Sequence, residues 1–168
     1  TRFNSDWSAT NLGVRRYHPF YEARLLQQSR TSNAPMLEAV PTDLSNYGEI
    51  AKLRVLEYTN AVRAVPTIRD DYGEIARLAV QNDGDALEVV PTNRADYGDL
   101  AKIAVQQYGL ALRHVPTDRD DYGDIVKLAV QQNGLALGWV PDWMELDDYD
   151  DLLRLALQQN GQALKYVD

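Results

Sequence analysis

Apolar positions between Asp71 and Pro91 fall into two blocks separated by a stop signal. In the first block Tyr72, Ile75, Ala76, Leu78, Ala79 and Val80 are apolar, and Gly73, Glu74, Arg77 and Gln81 are the polar remainder. Turned at about 100° per residue, the apolar set covers roughly 200° of a helix. A helix on the outside of a single core shows an arc nearer ~100°. The wide arc therefore predicts a helix packed between two neighbours. This helix is expected to run from Asp71 to about Asn82, with Gly84 as a left-handed C-terminal cap. A shorter helix, about Asp85 to Val89, is expected to end before Pro91, because proline disfavours helical geometry in the residue ahead of it. Asp71 and Glu74 read as a capping box, in which each side chain satisfies an amide of the first turn.

The pattern recurs. Val-Pro occurs at Val40, Val65, Val90, Val115 and Val140, each 25 residues after the last. Tyr47, Tyr72, Tyr97 and Tyr122 keep the same interval, and Tyr149 follows after 27. Glycine recurs at Gly84, Gly109, Gly134 and Gly161, while Thr59 holds that place in the first unit. The two extra residues fall between Asp142 and Asp148. Five units result, ending near Val65, Val90, Val115, Val140 and Val167, after a half-unit from Asn33 to Val40. Units that bury their apolar faces on one another form a solenoid. The expected fold is all-α, a short α-solenoid of tandem two-helix repeats over residues 33–168. Residues 1–32 carry no repeat and read as an irregular N-terminal arm.

Charge sharpens that boundary. The first 45 residues carry a net charge of +1, and the remaining 123 carry −9. A net charge of −8 argues against the nucleic-acid backbone as main partner. The chain contains no cysteine, so it has no disulfide, thiolate metal site or thiol nucleophile, which fits a reducing compartment. No apolar run approaches the ~18 residues of a membrane span, which leaves only peripheral association with a membrane complex. The first residue is not methionine, which reads as processing or trimming of a longer chain.

The candidate chemistry is sparse. His114 shares its register with Ala64, Val89, Trp139 and Tyr166, which marks a semi-exposed surface slot rather than a ligand position. His18 has no partner in the sequence, and zinc needs three or four converging ligands. The pairs Asp70-Asp71, Asp120-Asp121 and Asp147-Asp148 read as helix starts, where the dipole favours acids. The segment from Asp142 to Asp151 lacks the alternating oxygens and central glycine of a calcium loop. Acids and bases three apart, from Glu49 with Lys52 to Asp151 with Arg154, read as local surface pairs. No catalytic residue, metal site or cofactor is expected.

Candidate partner-binding residues lie in three places. Arg69, Arg94 and Arg119 recur in the turns, either as an anionic-ligand ladder or paired with neighbouring aspartates such as Asp70 and Asp120. Trp143 and Met144 stand in the loop that breaks the period, as a binding tip or a staple onto the last long helix. The arm holds Phe3, Trp7, Tyr17, Phe20 and Tyr21 together with Arg15 and Arg16, the composition of a segment that orders on a partner. Residues from about Pro19 to Leu26 are expected to cap the first unit as a helix.

The unit from Asp121 to Pro141, with Asp-Tyr at its start, Ala-Val mid-helix, then Asn-Gly, Ala-Leu and Val-Pro, resembles the repeats of the domain-of-unknown-function 4116 family. The resemblance spans about residues 33–168 and implies a tandem helical-repeat protein of bacteria, algae or other protists. It carries no catalytic residues to transfer. The leading expectation is a non-catalytic interaction protein, an accessory or scaffold subunit of a larger assembly. The occurrence of the family in algae suggests an organellar photosynthetic or respiratory complex. The alternative is a recognition module cut from a larger bacterial effector or enzyme. A stand-alone enzyme would need converging acid, base or metal groups.

Overall fold

Each 25-residue unit becomes one eleven-residue α-helix followed by a six-residue 3₁₀ helix. The computed structural model describes residues 37–141 and 149–166, together with Ala23, Arg24 and Gln27, which have helical backbone. The α-helices are α1 (Tyr47–Glu57), α2 (Tyr72–Asn82), α3 (Tyr97–Gln107), α4 (Tyr122–Gln132) and α5 (Tyr149–Gln159). The 3₁₀ helices after them are Thr59–Ala64, Gly84–Val89, Gly109–His114, Gly134–Trp139 and Gly161–Tyr166, and Leu37–Ala39 forms the preceding half-unit. Each element packs on its counterpart in the next unit, so the chain is an all-α solenoid. The described residues contain no strand. The rest of the arm, Phe3, Trp7, Arg15, Arg16 and Tyr17 among it, and the loop with Trp143 and Met144 lie outside the described residues.

The wide apolar arc is confirmed. Tyr72, Ile75, Ala76, Ala79 and Val80 of α2 are all buried, as are their equivalents in α3 and α4. Opposite sides of each α-helix meet the unit before and the unit after. Burying a valine, leucine or isoleucine side chain contributes about 1.5–3 kcal/mol, so every added unit is stabilised chiefly by this face.

Two local expectations are corrected. The glycines are not left-handed caps, since no described residue has positive φ. Each α-helix instead ends on an extended residue, such as Asp83 at φ −150° and ψ 113°. A 3₁₀ turn closes after it, with the Ala86 amide donating to the Asp83 carbonyl at 3.0 Å. The glycine is required by crowding. A Cβ on Gly84 would lie 2.5 Å from the carbonyl oxygen of Ala104 in the next unit, and one on Gly109 would lie 2.6 Å from that of Ala129. Thr59 does not disturb the helix end, because the extended backbone of Tyr58 suits any residue.

The second correction concerns the capping boxes. No side chain of Asn46, Asp71, Asp96 or Asp121 caps its α-helix. Three of these carboxylates are held by an arginine two residues earlier. Side-chain capping occurs instead at the 3₁₀ helices, where Asp83 accepts from the Asp85 amide and Asn133 from the Leu135 amide, both at 3.0 Å.

Candidate interaction surface

The turn entering each internal unit places one arginine against three partners. Arg94 donates through Nε and Nη2 to the two carboxylate oxygens of Asp96, at 2.7 and 2.8 Å. Its guanidinium carbon lies 4.7 Å from the ring centre of Tyr72 in the preceding unit. Its Nη1 donates to the Thr67 carbonyl at 3.4 Å, again in the preceding unit. Arg69 repeats the arrangement with Asp71, Tyr47 and Thr42. Arg119 repeats it with Asp121 and Tyr97. Planar, bidentate donation with ring stacking is a use of arginine that lysine cannot reproduce.

A glycine makes room for this clamp. A Cβ on Gly73, at the second position of α2, would lie 2.6 Å from the Asp96 carboxylate. Gly48 and Gly98 face Asp71 and Asp121 in the same way. Glycine within a helix costs up to about 1 kcal/mol relative to alanine, and here the space it leaves seats the next unit.

The clamp shows in the titration of its members. The hydrogen bonds from Arg94 hold the Asp96 carboxyl below its ordinary range, with burial opposing. Asp71 and Asp121 are lowered for the same reason by Arg69 and Arg119. Burial raises the tyrosines, and Tyr97 is pushed up to about 12, with the charge of Arg119 opposing. The Tyr97 hydroxyl donates to the His114 carbonyl at 2.9 Å, and Tyr47 donates to the Ala64 carbonyl at 3.2 Å.

Arg69, Arg94 and Arg119 thus form a ladder along one edge, each pointing inward across a junction. Their carboxylate partners are Asp71, Asp96 and Asp121, two residues on, rather than the adjoining Asp70 and Asp120. The pairs three apart are joined by pairs between units: Lys52 reaches Glu74 of the next unit at 2.6 Å, while Asp151 and Arg154 lie 3.8 Å apart on one helix. His114 sits half-buried in a surface cluster, accepting from Arg113 Nε at 3.0 Å and lying 3.5 Å from Asp85. No group of three or more His, Cys, Asp or Glu side chains among the described residues is arranged to hold a metal ion. No helix among them is long and apolar enough to cross a membrane.

The structure adds surface residues that the sequence reading did not single out. Ile68 is 92% exposed, Leu164 62%, Tyr58 53%, Leu56 51% and Trp139 50%. A signal existed for two of them. Ile68 stands in the register of Asp43, Asn93 and Asp118, and Leu56 in that of Gln81, Gln106 and Gln131. An apolar residue in a polar column is already anomalous on paper. Single exposed hydrophobics are ordinary, so the weight falls on such departures from the column.

Comparison with known families agrees with the repeat. The family described as "Domain of unknown function (DUF4116)" matches residues 97–146 and again 122–168, two overlapping segments that together span the last three units. No curated protein and no solved structure matches the chain.

Proposed function

As a member of the DUF4116 repeat family, this chain is, we propose, a non-catalytic interaction protein, an accessory or scaffold subunit of a larger assembly. The observation that carries this reading is the division of the repeat into constant and varied columns. The junction column reads Tyr47, Tyr72, Tyr97, Tyr122 and Tyr149 without exception. The neighbouring surface column reads Ala64, Val89, His114 and Trp139. A fixed frame with a varied outer row is how a solenoid presents a recognition surface. Exposed tryptophan at the end of that row adds the side chain most often found at interface hot spots.

The test is capture from native extract by the intact immobilised chain, read by quantitative mass spectrometry. Trp139→Ala is expected to lose the captured partner while keeping the thermal midpoint. Deleting residues 1–17 tests the aromatic arm in the same assay and is expected to weaken association. A captured set identical for the native chain and both variants would overturn the reading.

A further inference from the structure

We propose that the C-terminal end of the stack is a docking face for a helix of another polypeptide. That helix brings a basic residue onto Tyr149 and Asp150 and a small residue onto Gly161. The proposal rests on the reading of the chain as an interaction protein.

Comparison of unit five with the internal units shows which columns face the missing neighbour. Leu164 is 62% exposed, whereas Leu87, Leu112 and Leu137 in its register are 1%, 1% and 3% exposed. Leu153 and Leu157 are only partly buried, whereas Ala76 and Val80 in their registers are fully buried. The end unit of a solenoid is expected to turn a polar face to water. Here apolar volume increases at both positions, to leucine from alanine or valine in one column and from valine in the other. Gly161 is kept although a Cβ there would meet nothing within 4 Å. Every described glycine in its register admits the backbone of a following helix.

The four internal junctions define what such a neighbour looks like, and one substitution refines it. Asp150 stands where Gly48, Gly73, Gly98 and Gly123 stand in the other units. At Gly73 that space is taken by the Asp96 carboxylate of the following unit. Asp150 therefore supplies from this chain the carboxylate that an arriving unit otherwise brings. A partner that offers arginine without its own acid rebuilds the clamp over Tyr149. One that brings its own aspartate puts two carboxylates at one point, which is repulsive. A second copy of this chain stacked head to tail does not qualify. Its first unit has Leu44 and Asn46 where the clamp needs arginine and aspartate.

A direct test uses a labelled, hydrocarbon-stapled helical peptide that copies residues 117–132 with Asp121→Ala. It retains Arg119 and the small residue Ala129. Fluorescence anisotropy against the intact chain is expected to show saturable binding. Asp150→Lys and Gly161→Leu should each weaken it about tenfold, as loss of a charge pair or of close packing does at an interface. Trp139→Ala should leave it unchanged. The same peptide with Asp121 retained should bind more weakly, and Asp150→Gly in the chain should reverse that order. Absence of saturable binding, or binding indifferent to Asp150 and Gly161, would overturn the proposal. Failure here would leave the Trp139-dependent capture intact, and failure of the capture would leave the peptide result intact, so the two are read separately.

Discussion

Gly109 and Gly161 occupy one register and meet opposite surroundings. Around Gly109 a Cβ would collide with the Ala129 carbonyl, the Gln132 side chain and Asn133, while around Gly161 it would meet nothing. The same contrast runs through the arginines. Arg94 is held in a clamp across two units, with its side chain 22% exposed, whereas Arg154 of the last helix is 76% exposed beside Asp151. Residue type and register are therefore insufficient to state what a position contributes. Its neighbour across the junction decides.

The largest test of that contrast is a matched pair of glycine substitutions. Gly109→Val should lower stability by about 2 kcal/mol or more, as overpacking of a close backbone approach does. Gly161→Val should stay within about 0.5 kcal/mol of the parent, since its surface is open. Urea denaturation of both variants measures the difference, and equal losses would place the cost in the backbone rather than in the junction.

The arginines come next. Arg94→Ala removes a bidentate pair and a ring contact together and should cost about 1–2 kcal/mol. Arg154→Ala removes an exposed pair and should change stability by no more than about 0.5 kcal/mol. Thermal melts of the two variants would separate them, and equal midpoints would mean that the clamp adds nothing to the junction. Smaller again is Tyr97→Phe, which deletes the bond to the His114 carbonyl at an expected cost of about 1 kcal/mol. A denaturation midpoint equal to that of the parent would remove this bond from the account.

The acid limb sharpens the comparison without forming a cavity. Asp71, Asp96 and Asp121 have folded-state pKa values below their ordinary value. Their contribution is complete above the unfolded pKa of about 3.9 and is lost as pH falls through the folded values. Stability should therefore decline below about pH 4, and Arg94→Ala should flatten that decline by releasing Asp96. An identical acid profile in parent and variant would mean that the arginine does not set the carboxyl.

Much of this fold was legible in the sequence because a repeat prints its own register. The interval between Val-Pro pairs, the two elements per unit and the wide apolar arc needed only local rules. The helix type after each glycine did not follow from them. Six residues between an extended hinge and a proline are too few for α-helical periodicity to show, and a 3₁₀ helix fits that length. The candidate surface was legible only in part. His114 and its register mates were placed correctly at a semi-exposed slot, but the arginine ladder was open between two readings.

What the sequence determined by itself is the column: tyrosine, glycine, arginine and aspartate at fixed places in each unit. What only the tertiary structure decided is which columns meet. Arg94 and Tyr72 are 22 residues apart, and Gly84 and Ala104 are 20 apart, in both cases across a junction between units. Local propensity carries no information about such pairs, because their energies arise only when one unit's face closes on the next. That is why Asp96 looked like a helix cap and proved to be half of a clamp, and why Gly84 looked like a turn and proved to be a seat.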